Sequence, residues 1–90
     1  MNKGELISLM AELSGGSKAD AERAINLVTD AVIDALGKGQ EINLVGFGSF
    51  QVQHREAREG RNPKTGEKMH IPAYKQPVFK AGKRMKDACN

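Results

Sequence analysis

Between Arg55 and Lys75 the 90-residue chain carries a stretch that cannot serve as core. It reads Arg-Glu-Ala-Arg-Glu-Gly-Arg-Asn-Pro-Lys-Thr-Gly-Glu-Lys-Met-His-Ile-Pro-Ala-Tyr-Lys. The stretch is basic, nearly free of large aliphatics, and centred on one strong turn signal, Asn62-Pro63-Lys64-Thr65-Gly66. It is too polar to pack and too patterned for a random linker, so it predicts an arm over residues 53–75. A body of residues 1–52 and 76–90 remains, about three-quarters of a single domain. That body has no Trp, one Tyr nearby (Tyr74) and three Phe: Phe47, Phe50 and Phe79. Small domains bury a limited share of their surface. Cys89 is the only cysteine, so no disulfide framework exists and a reducing compartment is expected. Oligomerisation is then the expected way to complete the core.

Charge is unevenly spread. Residues 1–45 carry four Lys or Arg against seven Asp or Glu, a balance of −3. Residues 46–90 carry ten against four, a balance of +6. An acidic scaffold with a basic working half points to a polyanionic partner, and nucleic acid is the usual one. No apolar run approaches the ~18 residues of a membrane span. The N-terminus has no apolar signal-peptide core, so a cytoplasmic protein is expected.

The period of the apolar residues changes along the chain. Asn2, followed three residues later by Glu5, resembles a capping box. Leu6, Leu9, Met10 and Leu13 then keep helical spacing until Ser14-Gly15-Gly16. Ser17 caps a second helix, with Asp20 in its first turn and a stripe of Ala21, Ala24, Ile25, Val28, Ala31, Val32, Ala35 and Leu36. Gly37 and Gly39 end it. The short connection predicts an αα-hairpin. From Glu41 the period becomes two, and Val45-Gly46-Phe47-Gly48-Ser49 predicts a tight hairpin whose two glycines take unusual dihedrals. Phe50 and Val52 continue an apolar strand face. The arm follows, with a register that sets Asn62 opposite Gly66, Arg61 opposite Glu67, Glu59 opposite Met69, Ala57 opposite Ile71 and Arg55 opposite Ala73. Limbs of about ten residues would reach roughly 30 Å. A two-stranded ribbon is marginal alone and is expected to be mobile until bound. Pro72 would remove a ladder donor from the return limb. Gln76 to Lys80 predicts a last strand that Pro77 confines to an edge or a strand start. Residues 81–90 predict a short helix with Met85, Ala88 and Cys89 inward.

The arm's chemistry suits phosphate. Arg55, Arg58 and Arg61 recur every three residues, and the planar guanidinium contacts phosphate bidentately and fits narrow minor grooves. Lys64, Lys68 and Lys75 extend the charge, and Lys80, Lys83 and Lys86 carry it onto the body. Pro63 has two readings: plain Asn-Pro turn chemistry, or a rigid wedge that opens a base step. His54 and His70 read as exposed arm residues, with a phosphate contact open to His54.

Three separated motifs carry a resemblance. Val45-Gly46-Phe47-Gly48-Ser49-Phe50, Gly60-Arg61-Asn62-Pro63-Lys64-Thr65-Gly66 and Pro77-x-Phe79-x-Ala81-Gly82-Lys83 resemble the HU/IHF family of bacterial histone-like proteins, and the likeness runs the whole length. The resemblance implies an α+β fold: an N-terminal αα-hairpin, a three-stranded antiparallel sheet extended into a β-ribbon arm, and a short C-terminal helix. It implies an intertwined dimer, with a homodimer expected and a heterodimer with a paralogue open, and Phe47, Phe50 and Phe79 as its aromatic core. It implies double-stranded DNA as partner, bent, nicked or junction DNA being favoured, and a nucleoid location. Pro63 would be the intercalating tip, and Arg55, Arg58, Arg61 and Asn62 would work in the minor groove. Lys3, Lys80, Lys83 and Lys86 would meet phosphates along the flanks. No cofactor is implied.

Other classes fit less well. No segment offers a basic recognition helix for base readout in the major groove. Little sequence preference is therefore expected, the alternative being an IHF-like subunit that prefers sites through DNA deformability. No metal-ligand spacing or nucleophile and base arrangement suggests an enzyme. Single-strand binders interleave aromatics, whereas this arm has only Tyr74 near its base.

Overall fold

The computed structural model describes residues 1–90. Its elements are α1 (Lys3–Ser14), α2 (Lys18–Gly37), β1 (Ile42–Leu44), β2 (Gly48–Arg55), β3 (Arg58–Arg61), β4 (Lys68–Ile71), β5 (Tyr74–Ala81) and α3 (Lys83–Cys89). The expected α+β order is observed. The chain divides into two compact units, Met1–Ala35 and Leu36–Asn90.

In the first unit, both helix starts follow local side-chain chemistry. The Glu5 N–H donates to Asn2 Oδ1 at 2.9 Å, and the Asp20 N–H donates to Ser17 Oγ at 3.0 Å. Each bond satisfies one orphan donor of a first turn. Asn2→Ala is expected to destabilise the protein by about 1 kcal/mol. That is a fall of roughly 4–8 °C in melting temperature, read by circular dichroism. Ile7, Ala11 and Ala21 form the buried cluster, with Met10 and Ile25 against it. This differs from the expected stripe. Leu6, Leu9 and Leu13 are exposed. The α1 helix is apolar on two adjacent faces, and the one bearing Ile7 and the small Ala11 meets α2. Helix α2 is also apolar on more than one side. Leu27 and Ile33 are 71% and 70% exposed. Both flank the apolar stripe, next to the polar side that carries Asp20, Glu22, Arg23 and Asp30.

The second unit is built on a three-stranded antiparallel sheet of order β1-β2-β5 and a two-stranded β3-β4 ribbon. Ile42 pairs with Phe50 and Leu44 with Gly48. The intervening turn closes with the Phe47 N–H donating to the Leu44 carbonyl at 2.9 Å. Gly46 holds φ at 84°, a conformation glycine adopts without steric penalty. Gly48, expected to share that role, has ordinary strand dihedrals instead. It is glycine for lack of space. A Cβ there would stand 2.5 Å from Phe79 Cζ and 2.6 Å from the Lys80 carbonyl oxygen. Strand β5 begins at Tyr74, two residues before the expected start, and pairs with β2 from Arg55–Tyr74 to Gly48–Ala81. Pro77 sits inside β5, which is an edge strand, so its missing N–H costs no ladder bond toward a third strand. Helix α3 is shorter than expected. Met85 is half-buried, whereas Ala88 and Cys89 are exposed, although Ala88 lines one hollow with Met85, Val45 and Phe47.

Candidate nucleic-acid interface

The ribbon register differs from the expected one by a single residue. Arg61 lies opposite Lys68, Gly60 opposite Met69, Glu59 opposite His70 and Arg58 opposite Ile71. The cause is at the tip. Gly66 does not pair with Asn62. It holds φ at 72° as the last loop residue, with its N–H donating to the Asn62 carbonyl at 2.7 Å. The Asn62 N–H donates instead to the Glu67 carbonyl at 2.8 Å. The loop is therefore Pro63-Lys64-Thr65-Gly66. Asn62 Oδ1 accepts from the Lys64 N–H at 2.9 Å, and Thr65 Oγ1 accepts from the Glu67 N–H at 3.3 Å. These bonds fix the turn and leave Pro63 exposed at its crest.

A one-residue shift exchanges every cross-strand partner. Arg61 loses the expected neighbour Glu67 and gains Lys68. Like charges directly opposite each other are destabilising. Further along, His54 faces Lys75, and Glu56 makes its acidic contact with His54, Oε1 to Nε2 at 3.2 Å. No arginine or lysine of the ribbon is within ion-pair distance of Glu56, Glu59 or Glu67. Arg55, Arg58, Arg61, Lys64, Lys68 and Lys75 are all exposed. The result is a strip of uncompensated cations along both limbs, which an external polyanion would relieve.

The other expected site residues fall in several places. Lys80 lies on β5 opposite Ser49. Lys83 and Lys86 are exposed on α3, three residues apart and hence neighbours on its surface. Lys3 is exposed in the first turn of α1, in the other unit. The three phenylalanines do come together: the Phe47 and Phe79 ring centroids are 5.7 Å apart and those of Phe50 and Phe79 4.8 Å, both pairs tilted. Such tilted pairs are favourable beyond their buried area. Yet Phe47 remains 48% and Phe79 39% exposed. Gly82 locks this cluster to α3. Its N–H donates to the Phe47 carbonyl at 2.7 Å, and a Cβ on it would stand 2.9 Å from the Phe47 carbonyl carbon. Sequence reasoning left out Gln76, whose Oε1 accepts from Arg55 Nε at 3.0 Å and steers that guanidinium. Gln76 lies two residues along β5 from the Tyr74 that faces Arg55, a neighbour that the expected register, with Arg55 opposite Ala73, did not show.

A sheet that continues into a cation-lined ribbon defines a DNA-binding protein, and the chain belongs to the bacterial DNA-binding protein family, whose model matches residues 1–90. Its relatives carry the name DNA-binding protein HU. The chain is 54% identical to that of Rickettsia felis, covering all of both chains, and 57% identical to that of Geobacillus stearothermophilus, covering 98% of each. Among solved structures it is similar to an Anabaena HU–DNA cocrystal structure, with a TM-score of 0.91 and 46% identity over 99% of this chain and 97% of that one. HU from Thermotoga maritima follows with a TM-score of 0.69 and 29% identity, each chain fully covered. This is a family of architectural DNA-binding proteins and not of enzymes. No helix of the chain is long and apolar enough to cross a membrane.

Proposed function

We propose that this chain binds double-stranded DNA through the minor groove with little sequence preference, bends and compacts it, and acts in the nucleoid as an intertwined homodimer. One observation carries the reading: Arg61 and Lys68 face each other at the outer end of a ribbon that has no acidic partner for either. A protein retains such a repulsive pair where a polyanion occupies it. The roles are then divided by position. Arg55, Arg58, Arg61 and Asn62 enter the groove, Lys64, Lys68 and Lys75 line its walls, and Gly66 gives the tip the turn that presents Pro63. Lys3, Lys80, Lys83 and Lys86 receive the flanking phosphates. A dimer supplies what the single chain leaves open, since half-exposed Phe47 and Phe79 and the bare Leu27 and Ile33 need a second apolar surface.

The reading is tested by binding to linear duplexes of random and defined sequence across a salt series, with the mass in solution measured alongside. A dimer mass and similar affinities for both duplexes are expected. A strong preference for one sequence would move the assignment to a site-preferring subunit. Removing Lys83 and Lys86 together should lower affinity evenly on all duplexes and flatten the salt dependence by about 0.9 per lost phosphate contact. An unchanged slope would take those lysines off the interface.

A further inference from the structure

Arg55, Glu56, Ala57, Arg58, Tyr74 and Gln76 line a hollow of about 430 Å³ in the ribbon. It opens where the ladder is interrupted. Arg55 opposite Tyr74 is the last pair of one ladder, and Arg58 opposite Ile71 is the first of the next. Between them, Ala57 has too small a side chain to fill the gap, and Pro72 has no N–H to carry the ladder across. The walls that remain are chemically specific. Tyr74, the chain's only tyrosine, is 46% exposed. Arg55 donates its Nε–H to Gln76 Oε1, a bond that does not engage its terminal amino groups. Arg58 is exposed and has no acidic partner, since Glu56 is engaged by His54.

We propose that this hollow receives a single unpaired nucleotide of duplex DNA, its base stacked on Tyr74 and its phosphate held by Arg55 and Arg58. The proposal rests on the DNA-binding reading above and adds a second element of recognition, at the opposite end of the arm from Pro63. An exposed aromatic that lines one hollow with two arginines matches a base with its phosphate better than a phosphate alone, which needs no ring. Stacking on an aromatic tolerates any base, because every base has a π-face. The volume falls within the ~300–1,000 Å³ usual for small-ligand sites. The ribbon has one aromatic, so it serves one nucleotide and not a continuous single strand. A base expelled at a bulge or gap is therefore the occupant.

The test compares wild type, Tyr74→Ser and Tyr74→Phe on two duplexes of one sequence, intact or carrying a one-nucleotide bulge with 2-aminopurine at the unpaired position. Wild type should bind the bulged duplex more tightly and quench the 2-aminopurine emission. Tyr74→Ser should lose roughly 5- to 100-fold on the bulged duplex, the effect of one stacked base, with the intact duplex unaffected and the quenching gone. Tyr74→Phe should keep both. Without Trp in the chain, the Tyr74 emission gives a second readout and should fall on the bulged duplex alone. Retained preference and quenching in Tyr74→Ser, or an equal loss on both duplexes, would overturn the proposal and leave duplex binding intact. Wild type that binds neither duplex would overturn the DNA-binding reading itself, and the hollow's role with it.

Discussion

Gly48→Ala is expected to lower the melting temperature by roughly 10 °C or more. The added methyl would lie 2.5 Å from a ring carbon of Phe79 and 2.6 Å from the carbonyl oxygen of Lys80. A flexible side chain could give way, but the second contact is backbone. It can be relieved only by parting β2 from β5 or by displacing Phe79 from between Phe47 and Phe50. Overpacking of this kind typically costs about 1–3 kcal/mol, with ~4–8 °C of melting temperature per kcal/mol in a domain of this size. The effect should extend to assembly, because Phe79 belongs to the apolar surface assigned to the partner chain. Thermal melts followed by circular dichroism, with mass in solution, measure both. Gly37→Ala is the matched control. That glycine ends α2 with open space around its Cβ position, so alanine there should be neutral or raise stability by up to about 1 kcal/mol. Equal melts for the two variants would show that β2 and β5 yield more readily than their spacing indicates.

Pro63→Ala should have its largest effect on DNA geometry. The tip is fixed by bonds that do not involve Pro63, namely Asn62 N–H to Glu67, Gly66 N–H to Asn62 and Lys64 N–H to Asn62 Oδ1. Alanine therefore preserves the turn and every cation, and the phosphate contacts persist. What disappears is the compact apolar side chain proposed to act as a wedge. Opening a base step takes a few kcal/mol, which the inserted side chain must offset. The variant should circularise short DNA at least tenfold less efficiently, while its affinity for straight duplex changes by less than a factor of about three, within 0.6 kcal/mol. Circularisation at wild-type efficiency would assign Pro63 to turn chemistry alone.

The sequence was most legible where structure is decided locally. Asn2 and Ser17 cap their helices through bonds to residues three positions away, and Gly46 sits in a turn closed within four residues. It was least legible where one residue chooses between two nearly equivalent partners. Gly66 could close the arm either as a paired residue or as the last residue of the loop, and both options suit a glycine. The left-handed dihedral decides for the loop, and that single choice sets Arg61 against Lys68 instead of Glu67. The strongest electrostatic argument for a DNA partner was therefore hidden in a register. Helix α1 illustrates a second limit. With apolar side chains on adjacent faces, its periodicity does not select Ile7 and Ala11 over Leu6, Leu9 and Leu13. Gly48 illustrates a third, since its reason for being glycine lies 31 positions away, at Phe79.

The interruption between the two ladders spans two residues on each limb, 56–57 and 72–73, so the pairing resumes with no bulge. The limbs are thus yoked. A residue inserted into one alone would dislocate every pair beyond it, and one inserted into both would restore the pairing but turn the tip over relative to the base. Only two residues per limb preserve both pairing and facing. The reach of this arm can therefore be lengthened or shortened only in steps of about 6.6 Å. Its span along a duplex is quantised by the pleat and cannot be tuned continuously by the length of the chain.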